Sequence, residues 1–165
     1  MEKELRKHPR VPANLPCSLL FAGSDDELTA YAFSIASEGL GVQLDRRPAV
    51  SLAVGETVTI ALDLEGSLAN VEGRIAWIQR APNRSCSIGV QLSRQPASAI
   101  QSYEDWVEQR FAALREDSFE LGGSLAADRV ISLRVLQRAL DDQARDGGFL
   151  CDHLSAIELP KASSS

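Results

Sequence analysis

The sequence predicts a mainly β fold, a small antiparallel barrel or sandwich of six strands followed by C-terminal α-helices. Two observations carry that prediction. Between Leu15 and Leu92, six short runs alternate apolar and polar side chains with a period of two, parted by turns rich in Gly, Pro, Asp and Asn. After Pro96 the apolar residues recur at steps of three and four instead, the period of an amphipathic helix. With 44% hydrophobic residues in a chain of 165, a core can form without disulfide staples.

The chain opens on a charged arm. Lys3, Arg6, Lys7 and Arg10 stand against Glu2 and Glu4, a local positive excess on a chain whose formal net charge is −6. Such a cluster on an acidic body is a candidate anion site. A flexible basic arm is expected over residues 1–12 and the β domain over 13–94. The first strand runs from Leu15 to Phe21, with Leu15, Cys17, Leu19 and Phe21 on one face, and Gly23-Ser24-Asp25-Asp26 turns the chain. The second, about Leu28 to Ile35, puts Tyr31, Phe33 and Ile35 on one side and Ala30, Ala32 and Ser34 on the other. Ser37-Glu38-Gly39 breaks it before Leu40, Val42 and Leu44 alternate again. Val58, Ile60, Leu62 and Leu64 make the clearest period-two run. In the fifth strand Val71, Gly73, Ile75 and Trp77 share a face. Gly73 there suggests a bulge or bend of the kind that closes a small barrel, and Trp77 reads as core. Ile88, Val90 and Leu92 complete the set.

Ile100, Tyr103, Val107, Phe111 and Leu114 line one stripe of a helix expected over residues 97–116, packed most simply on an open end of the barrel. Gly122-Gly123 should end it, and Ser124 should cap a second helix over 124–146 whose apolar face holds Ala126, Val130, Leu133, Leu136 and Leu140. Residues 160–165 read as a disordered tail. The charged start and the lack of an apolar run near the roughly 18–20 residues of a membrane span argue against a signal peptide and a spanning helix, so the cytoplasm is the expected location. Net negative charge argues against DNA or RNA as a partner. Cys17, Cys86 and Cys151 are an odd count at wide spacing and fit reduced thiols.

No catalytic constellation is present. His8 and His153 are the only histidines, so base and nucleophile candidates are too few for an enzyme. Cys151-Asp152-His153 offers two metal ligands without the second pair that a zinc site needs, and no metal or cofactor is expected. Gly122-Gly123-Ser124 lacks the Lys and the longer spacing of a phosphate loop.

Two motifs remain. Arg6-x-x-x-Arg10 lies about 25 residues ahead of the small-residue turn Ser34-Ile35-Ala36-Ser37-Glu38-Gly39, and Gly89-Val90 sits in the last strand. Their order and spacing, with six short strands and a following helix, resemble the PilZ domain over roughly Arg6 to Leu114. That resemblance implies a six-stranded barrel and a cyclic di-GMP ligand, bound by an Arg-x-x-x-Arg arm and an Asp/Asn-x-Ser-x-x-Gly turn. Arg6 and Arg10 match the arm, where a guanidinium forks onto phosphate oxygens or stacks on a guanine. Gly39 matches the turn glycine. Ser34 stands at the acidic or amide position and Ala36 at the serine position, so two of three turn positions depart from the pattern. Leu5, Ser37, Glu38 and Trp77 are possible additional contacts, and Arg74 and Arg80, flanking the strand of Trp77, would supplement the phosphate contacts if they face the arm. The implied function is a cyclic di-GMP receptor that orders its arm on binding and regulates an unidentified protein effector. The alternative is a PilZ-like adaptor that has lost nucleotide recognition.

Overall fold

The computed structural model describes residues 8–45, 48, 51–82, 85–93, 95 and 97–157, with the side chains of 97–99 left aside. Leu5 and Arg6 of the expected arm, and the expected tail at 160–165, lie outside the described residues. The chain divides into two compact units, residues 11–109 and residues 1–10 with 110–165.

The first unit is a closed antiparallel barrel. Its strands are β1 (Val11–Phe21), β2 (Glu27–Ala36), β3 (Gly39–Leu44), β4 (Thr57–Asp63), β5 (Leu68–Arg80) and β6 (Cys86–Leu92), in the order β1-β2-β3-β6-β5-β4. The period-two runs fill the interior: Leu19, Ala30, Ala32, Ile35, Val42, Val58, Ile60, Leu62 and Ile88 are fully buried, and burial of this apolar surface drives closure. β1 begins at Val11, inside the span expected for the flexible arm. Pro12 and Pro16 are tolerated because the ladder to β4 starts only at Cys17, so upstream of it β1 pairs with β2 alone.

Three bulges bend the sheet, between Pro12 and Leu15 in β1, Ala32 and Ser34 in β2, and Ile75 and Trp77 in β5. Each adds a residue and resets which side chains face inward. In β2 the inner face is therefore Leu28, Ala30 and Ala32 before the bulge and Ile35 after it, while Tyr31 and Phe33 are outside. The expected bulge at Gly73 is absent. Gly73 is regularly paired with Val58 and Leu92, and a Cβ there would stand 2.5 Å from the Gln91 carbonyl oxygen. The bulge falls two residues later.

The helices differ from their expected bounds. Helix α1 runs without a break over Ala97–Ala127, through Gly122 and Gly123. Gly122 marks a close helix approach: a Cβ would collide with Leu136 Cδ1. The chain leaves α1 through Arg129, in the left-handed region at φ 57°. Helix α2 then spans Leu133–Asp146, capped by Ser132, whose hydroxyl accepts from the Val135 N–H at 3.3 Å, so the cap is Ser132 and not Ser124. Its buried face is Leu136, Ala139, Leu140 and Gln143, packed with Leu150 of α3 (Leu150–Ala156), whereas Leu133 and Val130 are exposed. Buried Gln143 spends both amide hydrogens, on Ser118 Oγ at 2.8 Å and the Gly148 carbonyl at 2.9 Å. No helix among the described residues is long and apolar enough to cross a membrane.

Candidate functional site

The turn singled out in the sequence is the β2–β3 hairpin, with Ser37-Glu38 at its tip and Ala36 paired to Gly39. It is braced from two sides. The Leu92 N–H donates to the Glu38 carbonyl at 2.8 Å. From α1, the fully buried Tyr103 donates its hydroxyl to the Ala36 carbonyl at 2.7 Å, with the Gly39 carbonyl at 3.4 Å. Burial raises the Tyr103 hydroxyl pKa well above its ordinary value, so it remains a donor across the neutral range. Gly39 has no positive φ. Its missing side chain answers to β6, since a Cβ would meet the Val90 carbonyl oxygen.

Pairing decides which hairpin residues lie on the outer face of the sheet. Leu40 and Val42 are buried, so Gly41 between them points outward, and Ser34, its Cα partner, does the same. Ser34 is half-buried there. Ala36 is only 7% exposed and carries no polar group, so of the two departures from the turn pattern only Ser34 presents a hydrogen-bonding atom to an outer-face ligand. Ser37 is half-buried and Glu38 exposed at the tip.

Across the sheet, outward Gly41 pairs with Gly89, and Gly89 with Trp77. Trp77 is thus not core: the bulge after Ile75 turns it outward, half-buried, with its indole over Gly89. Phe33, 41% exposed, lays its ring tip over Gly41. One outward row further along, Gly39 pairs with Gln91 and Gln91 with Arg74, both exposed. One row the other way, the Ser87 hydroxyl donates to Gln43 Oε1 at 2.7 Å, while Gln43 Nε2 donates to the Cys86 carbonyl at 3.2 Å. Arg80 pairs with Cys86 in the register of the inward residues, away from the outward row of Arg74.

Arg10 belongs to the other unit. Its backbone forms a parallel bridge with Gly147, donating from N–H to the Asp146 carbonyl at 3.2 Å and accepting from the Gly148 N–H at 2.7 Å. Gly147 is in the left-handed region at φ 71°, and any Cβ there would strike the Arg10 backbone. His153 Nε2 lies 2.6 Å from the Gly147 carbonyl, so this ring is engaged in the α2–α3 turn. Among the described residues no group of three or more His, Cys, Asp or Glu side chains is placed to hold a metal ion.

Sequence reasoning placed Tyr103 only on a helix stripe and Phe33 only in a strand, and did not single out Gln91. A tyrosine in an apolar stripe was the available signal, because its buried hydroxyl must find an acceptor.

A closed six-stranded barrel whose β2–β3 hairpin is pinned by the following helix defines a small β-barrel module. The chain belongs to the PilZ domain family, whose model matches residues 4–109. Among solved structures, the PilZ domain of YcgR with c-di-GMP from Escherichia coli is similar with a TM-score of 0.54 at 11% identity, over 72% of this chain and 97% of that one. YcgR in complex with c-di-GMP, also from Escherichia coli, gives 0.53 at 13% identity over 76% of this chain and 50% of that one. The Bacillus subtilis inhibitor of motility MotI/DgrA gives 0.53 at 17% identity over 67% of this chain and 51% of that one, so the chain spans about half its length. At these identities the likeness is one of fold. A sequence search of curated proteins finds no match.

Proposed function

We propose that this chain is a cytoplasmic cyclic di-GMP receptor, without chemistry of its own, that regulates a partner protein. The observation that carries the reading is the Arg6-x-x-x-Arg10 pair in a PilZ family member, immediately ahead of the strand that opens the barrel. Two guanidiniums supply bidentate donors for the ligand's phosphates and flat faces for its guanines. Ser34 and Gly39, on the outer face of the braced hairpin, lie on the ligand side, with exposed Gln91 and Arg74 in the Gly39 row as further polar contacts. Pro9 stiffens the arm and lowers the entropy lost on binding. Ordering of the arm over a bound ligand changes the surface offered to a partner.

Isothermal titration of the full chain with cyclic di-GMP tests the reading. Saturable binding that weakens at least tenfold in Arg6→Ala and in Arg10→Ala is the expected result. No heat at high micromolar ligand, together with indifference to both substitutions, overturns it.

One observation favours a second reading, a nucleotide-free adaptor: Ala36 is buried and apolar where the family's turn carries a serine, and Ser34 replaces an acidic or amide side chain. If Ser34→Asp combined with Ala36→Ser creates binding that the native chain lacks, the adaptor reading holds.

A further inference from the structure

The outer face of the barrel carries a feature that the arm and turn do not account for. The bulges in β2 and β5 flank the β3–β6 pair from opposite sides, and each swings one aromatic ring over one glycine of a directly paired couple, Gly41 and Gly89. A Cβ on Gly41 would stand 2.6 Å from Phe33 Cζ and 2.9 Å from Cε2, and one on Gly89 would collide with the pyrrole edge of Trp77. The rings therefore lie low on the sheet, side by side, where ordinary side chains would hold them off. Phe33 stays 41% exposed in this position, far more than a core aromatic.

Polar groups border the two rings on both sides. Ser34 pairs with Gly41 on the β2 side, Gln43 and Ser87 form one adjoining outward row, and Gln91 and Arg74 form the other. An aromatic floor with hydrogen-bonding edges and a cation within reach suits a flat heterocycle bearing phosphate. Stacking on such a floor needs no particular base-edge contact and so tolerates loss of turn polar groups.

We propose that Phe33, together with Trp77, forms a stacking shelf for a purine base of the ligand, with Phe33 the residue that offsets the contacts missing at Ser34 and Ala36. The proposal rests on the cyclic di-GMP reading above, and its test separates the two. Full-length native chain, Phe33→Leu and Phe33→Tyr are titrated calorimetrically with cyclic di-GMP, and thermal midpoints are recorded in parallel. Leucine keeps an apolar cover on Gly41 but removes the π face, so affinity falls about tenfold. Tyrosine restores the affinity to within about twofold. Equal binding by native and Phe33→Leu proteins overturns the shelf and leaves the receptor reading standing. No binding by the native chain overturns both. A midpoint drop in Phe33→Leu that Tyr reverses, without any change in affinity, assigns Phe33 to glycine cover alone and also overturns the shelf. Should Phe33→Leu fail to fold, the native chain decides by NMR: saturating cyclic di-GMP shifts the Trp77 indole N–H and the Gly41 and Gly89 amides, and their immobility overturns the shelf.

Discussion

Tyr103→Phe removes one oxygen and nothing else, which makes it the sharpest probe of how the β2–β3 hairpin is held. The ring volume is kept, so no cavity term enters. What is lost is the 2.7 Å hydrogen bond to the Ala36 carbonyl, on a residue only 7% exposed, from a donor that is itself fully buried. Removing the donor from a buried acceptor costs about 1–3 kcal/mol, more than the net worth of an average hydrogen bond, because water does not replace it. For a chain of this size each kcal/mol lowers the thermal midpoint by roughly 2–4 °C. Urea unfolding monitored by tryptophan fluorescence measures the difference at neutral pH. The pH dependence gives an independent reading of the same group. Burial raises the folded-state pKa of Tyr103 above its ordinary 10.0. The unfolded chain therefore releases this proton first, binds fewer protons than the folded chain above that value, and gains on it as pH rises. The stabilisation is intact below pH about 10 and is lost above it, in the native chain only. The gap between native and Tyr103→Phe must then narrow on the alkaline side. Equal midpoints at neutral pH, or a gap that stays constant from pH about 8 to about 11, refute the account of the brace.

Four further outcomes are expected. Gly89→Ala places a methyl group against the Trp77 indole and destabilises the barrel by about 1–3 kcal/mol, with a red shift in tryptophan emission as the ring is lifted from the sheet. Cys151, exposed, reacts with a thiol reagent in the native protein, whereas buried Cys17 and Cys86 react only in denaturant. Burial, with a smaller push from Asp45, lifts the Cys17 thiol from 9.0 to about 12, so Cys17→Ala flattens the alkaline loss of stability between those values. Ser132→Ala removes the α2 cap and costs about 1 kcal/mol, read as a lower thermal midpoint in far-UV circular dichroism.

The barrel was legible because its strands are half-buried and alternate: the odd residues from Leu15 to Phe21 and the even residues from Val58 to Leu64 were assigned to one face by pattern and are buried on one face in fact. What stayed hidden were the places where one residue breaks the count. A bulge leaves no composition signal, so Phe33 and Trp77 were read in phase with their neighbours and Trp77 was placed in the core. Gly122-Gly123 misled for a related reason. Glycine is a stop signal when the chain needs a left-handed residue, but neither adopts positive φ, and Gly122 is spent on letting Leu136 approach. The real stop, a left-handed Arg129, is a conformation that sequence rarely announces.

The same distinction changes the weight of the turn motif. Gly39 matched the family pattern and invited a ligand-based explanation, yet its backbone is ordinary and its missing side chain is required by the Val90 carbonyl on β6. Gly41 and Gly89 likewise answer to the rings above them. These glycines are needed to close and surface this barrel whether or not a ligand ever binds, so a retained Gly39 says little about nucleotide recognition. Among the described residues of the barrel, the groups that can discriminate are outward polar ones: Ser34 on the outer row, and exposed Arg74 and Gln91 beside it. Substituting Arg74 should therefore leave the unfolding free energy within about 0.5 kcal/mol of native, as expected for an exposed side chain, while on the proposed receptor reading it weakens cyclic di-GMP binding severalfold and reduces its dependence on salt. An Arg74→Ala protein that binds as tightly as native at low ionic strength removes that residue from the proposed site.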